Sequence, residues 1–462
     1  MLSATTRAAT RGVLRLAVPA VGHTLLQTLV FVIDRAMLGW HSNTSVAAMQ
    51  IAGPIEWSIW SIAAAFEVGL LAHVGSRFGA REPERVAGGI RAGFLIALFF
   101  GFLLAAVGPL VFGNLGSFAP RSTPPVISGA RDYLAMTMTA SPIVFLSLAG
   151  AASLQAQGDT RTPLVLGIIA NLVHIPLNYL LIFGAFGFKG LGPLGCGIST
   201  VISFGVEAVA YAYVLRKTLF FAKVPSLAQE ASPPSPATSS VPTTSLRREG
   251  ADILRITWPT VIERCVYHTG FLLFIRMVTE LPETDLAANQ TLIALESICF
   301  LSADGIGVAA AALAAQNMGA KAPEEAVRDV KIATVLATLF LGFLAVLIFL
   351  LGPFVLFLFS KDVVVRASAA QILPLFLIAE PLLGYAAVLA RGLRGAGFTK
   401  DSLIAVLVGA LATRLLATAF FVYVMKLGLW GVWLGSTADW LVRSLVLTFV
   451  AKRRARQILA TA

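Results

Sequence analysis

Apolar residues run along this chain in blocks of about twenty or more, broken by short polar turns, from one end to the other. A helix rises about 1.5 Å per residue, so a block of that length crosses roughly 30 Å of hydrocarbon. The pattern predicts twelve spans, over 14–39, 46–74, 86–113, 130–156, 162–184, 192–217, 252–279, 286–315, 327–358, 367–392, 402–425 and 430–451. A transmembrane barrel would show strands of about ten residues with alternating polarity, and the blocks are too long and too continuously apolar for that. The expected fold is an all-α membrane protein.

Residues 222–250 interrupt the pattern with Pro, Ser and Thr and carry no apolar period, which is the composition of a solvated, flexible linker. The chain therefore divides into an N-terminal lobe at 1–221, the linker, and a C-terminal lobe at 251–462, with six spans in each lobe. Laid over each other at an offset of 240, the lobes match at Leu14/Leu254, Arg15/Arg255, Pro19/Pro259, Phe31/Phe271, Met37/Met277, Gln50/Gln290 and Glu56/Glu296. The match continues through Gly79/Gly319, Ala80/Ala320, Pro83/Pro323 and Glu84/Glu324, and then drifts, so that "GDTR" at 158–161 answers "GFTK" at 397–400 and Gly192 answers Gly428. An even number of spans per repeat brings both lobes in from the same side, as parallel repeats of pseudo-symmetric six-helix lobes.

Composition sharpens this picture. Of 462 residues, 57% are hydrophobic and 13% charged, with a mean hydropathy of +0.83, so most of the surface must face lipid. The net charge of +11 does not point to nucleic acid, because Lys and Arg collect in alternate loops. Arg7, Arg11 and Arg15 precede the first span; Arg77, Arg81, Arg85 and Arg91 follow the second; Lys452, Arg453, Arg454 and Arg456 follow the twelfth. That asymmetry puts both termini in the cytoplasm of a multi-pass inner (plasma) membrane protein. Cys196, Cys265 and Cys299 show neither metal-type nor disulfide-type spacing and read as packing residues.

Ionisable groups at membrane depth are the candidate chemistry, since each costs roughly 2.5 to 3.5 kcal/mol to insert. Asp34 lies in the first span, and a carboxylate there can take up a proton or ligate a cation. Its neighbour Arg35 points about 100° away around the helix, so Asp34 needs a different partner, while Arg35 is placed to snorkel outward. Asn171, His174 and Asn178 recur three and four apart and share one face of the fifth span, around Pro176. Glu263 reads equally as a second acid or as a member of an ion pair, and for Glu56, Glu67, Glu296, Glu380, Arg414 and Asp439 an ion pair within the bundle is at least as strong a reading as a transport role. Phe31, Trp57, Trp60, Tyr267 and Phe271 are candidates to line an amphiphile cavity through apolar and cation–π contact.

Six stretches then carry a resemblance over about 14–452: "VIDRAMLG" at 32–39, "GSRFGAREPE" at 75–84, "LQAQGDTRTP" at 154–163, "IPLNYLLIFG" at 175–184, "AAQNMGAKAPEEA" at 314–326 and "LRGAGFTK" at 393–400. Together they resemble the multidrug and toxic compound extrusion transporters, within the wider superfamily that includes lipid-linked oligosaccharide flippases. The resemblance implies twelve helices in two lobes and export of small amphiphilic or cationic substrates against an inward flow of protons or sodium. It implies a coupling role for Asp34, with His174 and Asn178 at the fifth-helix polar positions, and approximate second-lobe counterparts in Glu263 and Glu380. The chain departs from the family pattern with Arg35 after the acid, His174 where Asn is usual, and Asn178 where some members have Asp. Protons are favoured over sodium, which would bind at Asp34 and Asn178. The rival reading is a flippase or exporter of a lipid-linked or anionic substrate, using Arg35, Arg264, Arg276 and Arg414. No HExxH, G-x-S-x-G or phosphate-loop motif occurs, so the expectation is a transporter and not an enzyme, with no cofactor, no nucleic-acid partner and a monomeric state.

Overall fold

The structure is a computed structural model that describes residues 4–118, 122–184, 187, 189–220 and 246–460. Twelve long helical elements follow one another: α1 (Ala4–His41), α2 (Asn43–Gly79), α3 (Pro83–Gly113), α4 (Pro124–Thr139 and Ser141–Ala156, meeting at 54°), α5 (Arg161–Phe183) and α6 (Pro193–Val214). The second set is α7 (Leu246–Val278), α8 (Glu283–Gly319), α9 (Pro323–Leu350), α10 (Val363–Gly395), α11 (Thr399–Val424) and α12 (Gly428–Ala460). Ten of these are singly long and apolar enough to span a membrane, and the bent α4 makes eleven. The twelfth, α7, is 33 residues long but carries Glu249, Asp252, Arg255, Glu263, Arg264 and Arg276, which dilute its hydropathy.

Local chemistry sets the ends. Ser42 alone separates α1 from α2, and its hydroxyl accepts from the Ser45 amide at 3.1 Å, satisfying one of the free donors at a helix start. Proline opens α3, α6 and α9, where its missing N–H would have no partner in any case.

The sequence repeat is also a structural one at its turns. After α2, the amides of Ala80, Arg81 and Glu82 bond to the carbonyls of Ser76, Phe78 and Arg77. After α8, those of Ala320, Lys321 and Ala322 bond to Gln316, Met318 and Asn317, the same three bonds 240 positions later. Arg81 and Lys321 both take left-handed backbone, at φ 58° and 56°. Likewise Gly158 and Gly397 sit at φ 83° and 90°, each at the sharp turn between a descending helix and its successor.

The chain forms two compact units. Residues 26–257 make one. Its core gathers Leu38, Met49, Leu134, Tyr133 and Ile182 from α1, α2, α4 and α5. Within it the first residues of α7 lie along α2, where a Cβ on Gly69 would overlap the Thr257 hydroxyl. Residues 1–25 and 258–462 make the other unit. There the start of α1 packs through Val13, Leu16 and Ala17 against Ile306, Ala309 and Ala310 of α8, with Gly305 admitting the Val21 backbone.

Two expectations are corrected. The linker expected to run to 250 ends earlier, because residues 246–250 are the first turn of α7 and Glu249 is fully buried by ion pairs to His73 and Arg85; positions 221–245 lie outside the described residues. Cys196 and Cys299 are buried as packing residues, but Cys265 is exposed on α7, on a side of the helix that no core covers.

Candidate functional site

Asp34 sits seven residues before the end of α1, about 10 Å along the helix from the turn at Ser42. It is 6% exposed, and two residues of α5 reach its carboxylate. His174 places Nε2 2.8 Å from Asp34 Oδ1, and Asn178 donates Nδ2–H to the same oxygen at 2.7 Å. The spacing of four in α5 stacks the two side chains on one face, and their exposures of 1% and 0% show that this face is turned wholly inward. Met37, one turn beyond Asp34, brings Sδ within 3.5 Å of the same amide nitrogen. From α6, Ser199 donates its hydroxyl to Asn178 Oδ1 at 2.7 Å and approaches the Cys196 carbonyl at 2.8 Å.

Three helices thus close on one carboxylate. The partner that Asp34 required is His174. Asn171 does not join: it is half-buried and is not among the hydrogen-bond partners of Asp34. Ser199 belongs to the cluster without having been a candidate, because one hydroxyl in an apolar span gives no sign of the face it occupies.

Arg35 is exposed, and its side chain runs back along α1 and not toward the Ser42 end. Its guanidinium lies 4.0 Å over the Phe31 ring, one turn back along α1, and against Gly53, where a Cβ would stand 2.8 Å from Nη2. Helical side chains lean toward the N-terminus, and the ring face attracts the cation. Beside it Glu56 of α2, 6% exposed, accepts the Tyr133 hydroxyl of α4 on both oxygens at 2.9 and 2.7 Å. Of the two readings of Glu56, the ion pair is not formed: among the described residues no basic group lies within salt-bridge distance of it.

The aromatic candidates fall in two places. Phe31 carries Arg35, Trp60 packs on Phe204 at 5.0 Å between centroids, and Trp57 is 47% exposed. In the other unit Tyr267, Phe271 and Phe274 form a stacked ladder at 6.3 and 6.4 Å.

That unit has no copy of the Asp34 cluster. In the register of the matched turns Phe274 stands opposite Asp34, Thr413 opposite His174, Ala417 opposite Asn178 and Gly435 opposite Ser199. Several of its buried charges are paired instead. Asp439 bonds Arg443 at 2.5 Å and Arg414 at 2.9 Å, and Glu263 bonds Arg394 at 2.7 Å. Arg414 and Asp439 are therefore an ion pair within the bundle, as one of their two readings had it. Glu380 is fully buried with no basic side chain in salt-bridge range among the described residues.

Comparison with known proteins extends over the whole of this architecture. The family described as MatE matches residues 19–180 and 259–418, one block per lobe. The chain is 28% identical to "Probable multidrug resistance protein NorM" of Thermotoga maritima over 434 residues, covering 93% of this chain and 89% of that protein. It is 26% identical to a protein of the same name from Aromatoleum aromaticum over 385 residues, covering 82% and 78%. Among solved structures, an outward-facing multidrug resistance MATE family transporter of the MOP superfamily superposes with a TM-score of 0.86 at 19% identity, over 98% of this chain and 97% of that one. A MOP superfamily transporter from Pyrococcus furiosus superposes at 0.85, over 97% and 96%, and carries the same fold.

Proposed function

The chain belongs to the MatE family and is a multi-pass membrane transporter of that family, and from that premise we propose that it exports amphiphilic or cationic small molecules in exchange for protons, by alternating access, with Asp34 as the coupling carboxylate. The names of its relatives, multidrug resistance proteins, support the substrate class. The alternate-loop placement of Lys and Arg supports an inner-membrane setting with both termini in the cytoplasm.

The observation that carries the coupling role is the shared Asp34 oxygen. When Asp34 is charged, the His174 ring and the Asn178 amide both present N–H to it. When Asp34 takes a proton it becomes a donor, and a half-turn of the Asn178 amide turns Oδ1 to receive it. The amide NH₂ then faces Ser199, whose one hydroxyl proton is free to go to the Cys196 carbonyl at 2.8 Å. Both protonation states leave the buried polar atoms of Asn178 and Ser199 bonded, so proton uptake does not strand a donor.

Sodium fits less well. It takes several oxygen ligands, yet Asn178 turns its amide nitrogen and not its oxygen toward Asp34, and His174 offers nitrogen. The flippase reading relies on free basic groups. Of its four, Arg414 is held by Asp439 and Arg35 lies over the Phe31 ring, while Arg264 is half-buried and Arg276 exposed.

The test is efflux of a fluorescent lipophilic cation from proteoliposomes under an imposed proton or sodium gradient, comparing wild type with Asp34→Asn. Wild type follows the proton gradient and Asp34→Asn loses efflux to background. Efflux that follows only sodium, or an Asp34→Asn protein that transports normally, overturns the assignment.

A further inference from the structure

Glu56 is thirteen residues into α2, so it lies about 20 Å from the Ser42 turn, about 10 Å deeper than Asp34 on the neighbouring helix. It is a buried carboxylate held by neutral donors, the Tyr133 hydroxyl of α4 and the Trp60 indole of its own helix. The titratable and charged groups around it are Asp34 and Arg35 of α1, Tyr133 of α4 and Cys196 of α6, with the Trp60 indole on its own helix. Arg35 is the one cation among them, shared with Asp34's surroundings and already seated on Phe31. The other basic group here, the His174 ring, is engaged with Asp34, so among the described residues Glu56 has no basic side chain in ion-pair range.

On its far side Glu56 lines a cavity of about 20 Å³, bounded also by Trp60, Thr137, Ser141 and Phe145. That is room for one water. The cavity sits at the bend of α4, where Gly101 lets the Pro142 backbone come so near that a Cβ would be 2.5 Å away. Thr137 and Ser141 spend their hydroxyl protons on the carbonyls of Tyr133 and Gly101, at 3.1 and 2.8 Å, which leaves their oxygens able to accept from a water beside Glu56.

We propose that Glu56 is a second proton-binding carboxylate of the N-terminal lobe, loaded through the water cavity at the bend of α4. Its transport role rests on the proton-coupled reading above. A hydronium in the cavity gives its proton to Glu56 and leaves as water; the reverse step returns the carboxylate and a hydronium. Charged Asp34 keeps the His174 ring as its partner, whereas charged Glu56 has only neutral donors, so a proton on Glu56 removes an unpaired buried charge. Two protons, one on each acid, accompany each substrate.

Infrared difference spectra of the purified full chain, between acid and alkaline buffer, test the proposal without transport. Among the protonated-carboxyl components of wild type, Glu56→Gln lacks one that Asp34→Asn keeps, and Asp34→Asn lacks one that Glu56→Gln keeps. A Glu56→Gln spectrum that superimposes on wild type overturns it. Tyr133→Phe keeps the acid and removes one of its donors, and covers the case in which Glu56→Gln does not fold: the component shifts in frequency, and an unmoved component overturns the proposal. In proteoliposomes the proton-to-substrate ratio falls from two to one in Glu56→Gln, and an unchanged ratio overturns the transport role. A wild type that ignores the proton gradient while the Glu56 component still titrates sinks the antiport reading and leaves Glu56 as a proton-binding group.

Discussion

His174 and Asp34, 140 positions apart in the chain, meet through Nε2 and Oδ1 at 2.8 Å, and the histidine is buried to 1% exposure by that contact. The pairing ties α5 to α1 through a group that can itself carry a proton.

Replacing the ring removes one of the two N–H donors on the shared oxygen. In His174→Ala the Asn178 amide alone holds Asp34, and proton-driven efflux falls by at least tenfold, the size expected for about 1.5 kcal/mol lost from a charge-assisted bond. His174→Gln restores a donor and recovers part of the rate. Equal rates in wild type and His174→Ala, measured at saturating substrate, would show that the ring is only a spacer.

Glu249 is fully buried while accepting from the Arg85 guanidinium at 3.0 Å and the His73 ring at 2.5 Å. Glu249→Ala takes the partner of the buried His73 ring and one of the two carboxylates on Arg85, which keeps Glu82, and lowers stability by about 1 to 3 kcal/mol. Thermal unfolding of the full chain in detergent reads this as a fall in Tm. Glu249→Gln, which keeps an acceptor for both groups, recovers part of it.

Arg81 and Lys321 hold left-handed backbone in matched turns, a conformation that costs an L-residue about 1 to 2 kcal/mol. Glycine adopts it freely but loses more entropy on folding. Arg81→Gly and Lys321→Gly therefore each leave Tm unchanged or raise it by an amount worth up to about 1 kcal/mol, and the two variants behave alike. A marked fall in either would mean that the side chain, and not the turn, holds that position.

Much of the fold was legible in the residues. The apolar blocks located the twelve long helical elements, eleven of which are apolar enough to span, because each span must separately satisfy its backbone in lipid, a local requirement. The fixed offset of 240 carried over to matched hydrogen bonds at the Gly79 and Gly319 turns, since turn geometry depends on a few adjacent residues. The polar α5 stripe was visible for the same reason, through a period of three to four.

Other features depended on how the helices rotate and cross. Sequence could mark Asn171, His174 and Asn178 alike, but only the packing of α5 on α1 turned the last two toward Asp34 and left Asn171 half-buried. It could not distinguish Glu56 from a member of an ion pair, because its donor on α4, Tyr133, lies 77 positions away. Nor could composition show that helix begins at Leu246, within the polar end of the linker: the burial of Glu249 against His73 and Arg85 decides it. The sequence determined which segments enter the membrane and that they come in two like sets, because those are sums over neighbouring residues. The tertiary structure decided which buried charge meets which, because a side chain's partner is set by helix rotation and crossing, and these depend on packing across the whole lobe.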